Sequence, residues 1–265
     1  MLSRWVLAVL AAGALAYTFV PMSELVAELW YDGVAIGAIG LAILGLRRNR
    51  PSRGSGWTHL LVGYGGWVLG DLAWGLEQQV FHLESYPVPS DAVYLSAYLS
   101  IAAGALALVR TRREGRDVTA LLDAMIITAG VAVLMAVFVI APMATDSDLS
   151  TFGKVVSSAY PVADLLLLAI VARMWAGPGA RTMSYRLLIS SLAIVLLGDL
   201  AWSLSVILTA DIGKGDLTTY IGGAWLFGYI LLGAAVCVPS VRTLGEPALD
   251  LAQVATSRRR LVALA

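Results

Sequence analysis

Asp71 and Asp199 stand in the middle of long apolar runs, where a charged side chain costs roughly 2.5 to 3.5 kcal/mol on insertion scales. Acids that costly need a task, and the residues around them narrow it. Tyr64, Trp67, Trp74 and Gln78 recur every three or four positions about Asp71 and so share one helical face. Asp91, Tyr94 and Tyr98 follow the same spacing; Asp164 falls at a depth similar to Asp71, and Trp30, Tyr31, Tyr160, Trp202 and Trp225 lie in the corresponding halves of other apolar runs. Two chemistries fit. Aromatic faces can hold an apolar or cationic ligand while carboxylates orient it, which makes Asp71, Trp74, Trp67, Tyr64, Gln78, Asp91, Tyr94, Tyr98, Tyr160, Asp164, Asp199 and Trp202 the candidate lining of an outward-facing cavity. Alternatively the acids accept hydrogen bonds from Trp, Tyr or Ser on neighbouring helices and fix their packing, while the aromatics form an interfacial belt.

Other chemistry lacks a signal. The chain has no glycine-rich phosphate loop, His-Glu-x-x-His zinc pattern or Gly-x-Ser-x-Gly nucleophile elbow, so no enzymatic activity, cofactor or metal is expected. His59 and His82 are expected on opposite sides of a membrane and cannot share an ion. No lysine falls within an apolar run, which disfavours a retinal-type Schiff base. Cys237 is the single cysteine, so no intrachain disulfide can form; a small core residue is the expectation.

The elements that must position these residues are membrane spans. Of 265 residues, 59% are hydrophobic and 14% charged, against about 25% charged in a soluble domain. A hydrocarbon core of roughly 30 Å needs about 20 apolar helical residues, and eight stretches approach that length. They run approximately from Trp5 to Val20, Val26 to Leu46, Thr58 to Phe81, Ala92 to Val109, Thr119 to Ala141, Val155 to Trp175, Leu187 to Thr209 and Thr219 to Val238. The expected fold is therefore all-α: a polytopic integral membrane bundle of about eight transmembrane helices. Pro87, Pro89, Pro142 and Pro239 fall in or beside the connections, where a missing backbone donor is tolerated.

Every arginine falls on one side of this arrangement. Arg47, Arg48, Arg50 and Arg53 follow the second stretch, Arg110, Arg112, Arg113 and Arg116 the fourth, and Arg173, Arg181 and Arg186 the connection after the sixth. Arg4 precedes the first stretch, and Arg242, Arg258, Arg259 and Arg260 follow the last. The alternate connections carry Glu24, Glu84, Asp146, Asp148 and Asp211, with Lys154 and Lys214. The positive-inside rule then places the arginines, and both termini, in the cytoplasm of a cell bounded by its plasma membrane. The first stretch also resembles a signal peptide, since Arg4 precedes a short apolar run and Ala14-Leu15-Ala16; cleavage would leave seven spans.

An internal repeat divides the chain. Leu60 to Leu76 matches Leu188 to Leu204 at eight of seventeen positions, including Gly70-Asp71-Leu72-Ala73-Trp74 against Gly198-Asp199-Leu200-Ala201-Trp202. Asp91, Tyr94 and Tyr98 loosely echo Asp216, Tyr220 and Tyr229. Residues 1–117 and 118–242 are thus expected to be two four-span repeats, leaving 243–265 as a tail or the start of a further span. An even number of spans per copy makes the repeats parallel, related by an axis along the membrane normal.

Pro89-Ser90-Asp91-Ala92-Val93-Tyr94-Leu95, then Arg110 to Arg116, then Leu121-Leu122-Asp123-Ala124 follow in an order that resembles the N-terminal multispan region of actinobacterial cyclic-di-GMP signalling proteins. Ala159-Tyr160-Pro161-Val162-Ala163-Asp164-Leu165 and Pro239-Ser240-Val241-Arg242 are similar to it as well. In that family the region precedes cytoplasmic diguanylate cyclase (GGDEF) and phosphodiesterase (EAL) domains and serves as sensory or localising input. The chain carries neither Gly-Gly-Asp-Glu-Phe nor Glu-Ala-Leu as a catalytic motif, so the resemblance implies a non-enzymatic sensor or input module and transfers no catalytic residue. The expected partners are the lipid bilayer, an unidentified small ligand and a cytoplasmic signalling effector, with a homodimer left open and no nucleic acid. A small-solute or proton-coupled transporter or channel is the alternative, because repeated halves with midplane carboxylates also suit a transport path.

Overall fold

Long apolar runs that must satisfy their own backbone hydrogen bonds in lipid can only be helices or closed barrels, and here they are helices. The computed structural model describes residues 2–52, 56–83, 85–111, 118–176, 182–209 and 216–245. In chain order the helices are α1 (Leu2–Phe19), α2 (Glu24–Asn49), α3 (Trp57–Gln79), α4 (Pro89–Thr111), α5 (Val118–Met135), α6 (Ala141–Thr145), α7 (Thr151–Ala176), α8 (Met183–Thr209) and α9 (Asp216–Cys237). A π-helical turn, Ala136–Ile140, joins α5 to α6 without a break. Pro142 consequently lies within helix rather than in a connection, just after the π-helical turn. A 3-10 turn, Pro239–Gly245, follows α9.

Among the described residues, six helical segments are long and apolar enough to cross a membrane: Glu24–Asn49, Pro89–Thr111, Leu121–Thr145, Thr151–Ala176, Met183–Ile207 and Leu217–Cys237. The apolar part of α1, Arg4–Phe19, is shorter. α3 does not qualify either, because Asp71, Glu77, three tryptophans and several glycines dilute its apolar run. The outer surface is what a bilayer requires. Val62, Leu69 and Leu76 form an exposed stripe on α3, and Met125, Ile126, Val133 and Leu134 do so on α5, a density of outward apolar side chains that water would not tolerate.

Helix ends have local causes. Arg50 takes a left-handed conformation (φ 45°) and returns its N–H to Leu46, closing α2 just before Pro51. Pro89 occupies the first position of α4, where an N–H would be unbonded anyway, and Asp91 accepts the Val88 N–H at 2.8 Å. Asp91 is therefore a capping residue in the first turn of α4 as well as a member of its polar face.

The core runs through the centre as one cluster. α3 packs most extensively against α4, and α8 against α9; α2 crosses to α9, while α7 crosses to α4. α1 lies on α9 and α2, and α5 lies along α7. Small polar groups tie the end of α9 to its neighbours: Asn49 Nδ2 donates to Val236 O at 2.7 Å, and Ser184 Oγ to Ala235 O at 2.6 Å. Arg53, Glu84, Arg112, Arg113, Arg116, Arg181, Asp211, Lys214 and residues 246–265 lie outside the described residues.

Candidate functional site

Asp71 and Asp199 are each held by aromatic donors from α4 and α9, and Asp164 lies against Asp199. On α3, Asp71 Oδ1 accepts the hydroxyl of Tyr94 from α4 at 2.8 Å, and its Oδ2 that of Tyr229 from α9 at 3.2 Å. The buried hydroxyl of Tyr31 on α2 lies beside the same carboxylate. On α8, Asp199 Oδ2 accepts the hydroxyl of Tyr98 from α4 at 2.9 Å, and its Oδ1 accepts the indole N–H of Trp225 from α9 at 2.9 Å. Asp164 on α7 lies against Asp199 and Tyr98; it is buried, and its Oδ1 has no hydrogen-bond partner among the described residues.

These bonds cross in a reciprocal way. Tyr94 and Tyr98 stand one helical turn apart on α4 and divide between Asp71 and Asp199; Trp225 and Tyr229 stand one turn apart on α9 and divide between Asp199 and Asp71. The spacing explains the division, because side chains four residues apart point the same way at successive levels. α4 and α9 thereby each bridge α3 and α8.

Glycine makes room for the crossing. A Cβ on Gly70 would sit 2.6 Å from the Tyr94 ring, and one on Gly198 would sit 2.7 Å from the Trp225 indole. The glycine preceding each aspartate therefore has a steric reason: it lets the donor ring lie flat across the helix and reach the next residue's carboxylate.

An aromatic ladder extends the cluster. Tyr229 meets Tyr64 edge-on at 5.9 Å between ring centroids, Tyr64 meets Trp67 at 5.2 Å, Trp67 meets Tyr98 at 5.0 Å and Tyr98 meets Tyr160 at 6.3 Å. Edge-to-face contacts of this kind add about 0.5 to 1.5 kcal/mol each beyond area burial. Tyr64 is fully buried and its hydroxyl pairs with Ser191 Oγ at 2.8 Å. Tyr160 donates to Asp91 Oδ1 at 2.6 Å, linking α7 to the first turn of α4.

Three expectations change. Trp74 is 47% exposed, although three residues beyond Asp71 it still lies within about 60° of it around the helix. Gln78 contributes a main-chain carbonyl to the His82 ring at 3.0 Å rather than a side chain to the cluster. Tyr220 is exposed and meets Phe19, not an acid; the pair on α9 that plays the part of Tyr94 and Tyr98 is Trp225 with Tyr229, and the side chain of Asp216 lies outside the described residues. Trp202 stays beside the cluster through its contact with Trp225 at 6.0 Å.

Glu77 is the buried acid that sequence reading passed over. Its two oxygens accept the backbone N–H of Ser90 at 2.9 Å and its hydroxyl at 2.6 Å, capping α4 from the end of α3. Pro89-Ser90 at a helix start was the available signal. Outside the spans, burial raises the Tyr86 phenol above its usual range, helped by the nearby Asp91 carboxylate. Among the described residues no group of three His, Cys, Asp or Glu could hold a metal ion. No protein-family model matches the chain, and no curated protein or solved structure does either.

Proposed function

We propose that the chain is a membrane sensor or input module whose responsive element is the crossed acid–aromatic network. One observation carries this reading: α4 and α9 each bond to both Asp71 and Asp199. A ligand or proton taken up by either carboxylate weakens its bonds to a hydroxyl or indole on α4 and α9, and so biases how those helices pack. The ligand class that suits aromatic rings beside carboxylates is a small organic cation.

The reading includes eight spans in two parallel four-helix repeats, α1–α4 and α5–α9, with the arginine-bearing ends cytoplasmic. It draws support from the matched roles of Gly70 and Gly198, the matched pairs on α4 and α9, and the parallel crossings of α2 to α9 and α7 to α4. The exposed apolar stripe on α3 supports counting it as a span despite its polar content. The resemblance in motif order to cyclic-di-GMP signalling proteins supports an effector on the cytoplasmic side, either as a further domain or as a separate partner.

Thermal unfolding of the full chain in neutral detergent tests the ligand reading, with tetramethylammonium, choline and benzyltrimethylammonium as probes. At least one should raise the midpoint of the wild type and leave Asp71→Asn and Asp199→Asn unmoved. Equal shifts in all three proteins, or none, would leave the acids as packing groups. A transporter is the second reading, favoured by the contact between Asp164 and Asp199, because two carboxyl groups in contact need a proton or cation between them. Acidification of proteoliposomes that requires Asp199 would select it.

A further inference from the structure

Asp164 sits outside the crossed bonds of the network. It stands midway along α7, is only 5% exposed, and lies against Asp199 of α8. Two carboxylates in contact inside a bundle resist being charged together, the more so with no basic side chain beside them to offset the second charge. Lys154 and Arg173 stand near the two ends of α7, Arg110 in the last turn of α4, and Tyr185 and Arg186 near the start of α8. Of the other elements packed against α7, α4 presents Tyr98 and, two turns nearer its start, Asp91, which accepts the Tyr160 hydroxyl. α5 carries only Asp123, exposed near its start, and the π turn and α6 carry no titratable group.

The donors distinguish the two acids. Both oxygens of Asp199 already accept one, the Tyr98 hydroxyl at 2.9 Å and the Trp225 N–H at 2.9 Å, so Asp199 is the acid equipped to carry the charge. Asp164 Oδ1 is buried and has no hydrogen-bond partner among the described residues, a setting that suits a neutral carboxyl. A metal ion fits less well. Hard cations take six or more oxygens, whereas those of Asp199 are committed to donors, and no group of three His, Cys, Asp or Glu gathers among the described residues.

We propose that Asp164 and Asp199 form a proton-binding site that holds one proton between them at neutral pH, carried by Asp164 and donated to Asp199. Losing it sets two negative charges in contact and drives α7 away from α8. The site deepens the reading of the network as a responsive element, naming the proton as its input at Asp199, and in that respect rests on it; the bound proton itself does not.

Infrared spectra of the full chain in phosphatidylcholine nanodiscs, taken across a pH series, read the proton through the C=O stretch of a protonated carboxyl. The wild type should keep this band at neutral pH and lose it only above. Asp164→Asn and Asp199→Asn should each move the loss to lower pH by at least about one unit, Asp164→Asn the further, because Asp199 retains both donors. Tyr98→Phe keeps both acids but takes a donor from the charged one, so it should move the loss to higher pH; Asp71→Asn should leave it in place. The proposal is overturned if Asp164→Asn and wild type do not differ at neutral pH, or if Asp199→Asn moves the loss further than Asp164→Asn. It is overturned as well if Tyr98→Phe leaves the loss where it was, or if sodium in place of N-methylglucamine removes the band at fixed pH. Tyr98→Phe decides the matter even should neither asparagine variant fold. A band that behaves as expected, beside quaternary ammonium melts that do not depend on the acids, would keep the proton site and remove the ligand reading.

Discussion

Asp71 illustrates what an acid inside lipid must find. Its two oxygens accept from Tyr94 and Tyr229, so removing it strands two hydroxyls where water cannot replace the acceptor. Asp71→Leu should therefore cost about 1 to 3 kcal/mol of stability, whereas Asp71→Asn, which keeps one acceptor oxygen, should cost about 1 kcal/mol or less. Equilibrium unfolding in mixed micelles measures both, and a leucine variant as stable as the asparagine one would contradict the assignment. Asp199 was as legible in the sequence as Asp71, but its donors were not: Tyr98 is 101 positions away in the chain, and no local spacing encodes such a partner.

Glycine placement governs how α3 and α8 receive their partners. Because the missing Cβ of Gly70 and Gly198 is what admits Tyr94 and Trp225, Gly70→Ala and Gly198→Ala should each destabilise by about 1 to 3 kcal/mol through overpacking. Gly65→Ala, with nothing within 4 Å of the new methyl group, should not destabilise; parallel thermal melts of the three variants would show the contrast, and equal losses at all three would remove the steric account. The helices themselves were readable from apolar length, and their observed bounds differ from the expected ones mainly where capping decides. α4 begins at Pro89 because Glu77 and Asp91 cap it, and α5 runs on through its π turn into Pro142. α3 falls short of the apolar run that a span needs because polar residues, Asp71 and Glu77 among them, interrupt it.

Across the whole molecule, the crossed bonds should make the two halves energetically dependent. A double-mutant cycle of Tyr98→Phe with Asp199→Asn should return a coupling of about 0.6 kcal/mol and not more than about 1.7, the range for interhelical hydrogen bonds in membranes. Tyr98→Phe combined with Asp71→Asn, which share no direct bond, should be close to additive. Orientation is checked by single cysteines in a Cys237→Ser background. A cysteine replacing Ser147 should react with an impermeant maleimide in intact cells, and one replacing Ser52 only after lysis; the reverse pattern would invert the proposed topology.

Apolar length and scarcity of charge were sufficient to place this chain in a bilayer as helices, because hydrocarbon imposes a length and a hydrogen-bonding rule that any sequence must obey. Asp71, Asp199 and their flanking Gly-Asp-Leu-Ala-Trp runs also stood out before any coordinates, as charges where charge is costly. Which aromatic group meets which acid depended instead on how α4 and α9 cross α3 and α8, a matter of rotation and depth between helices that are distant in sequence. A cleft lined by the last turns of α4 and α7 and the first half of α5 is of the same kind: its walls come from three helices, which no pattern within α5 could have specified.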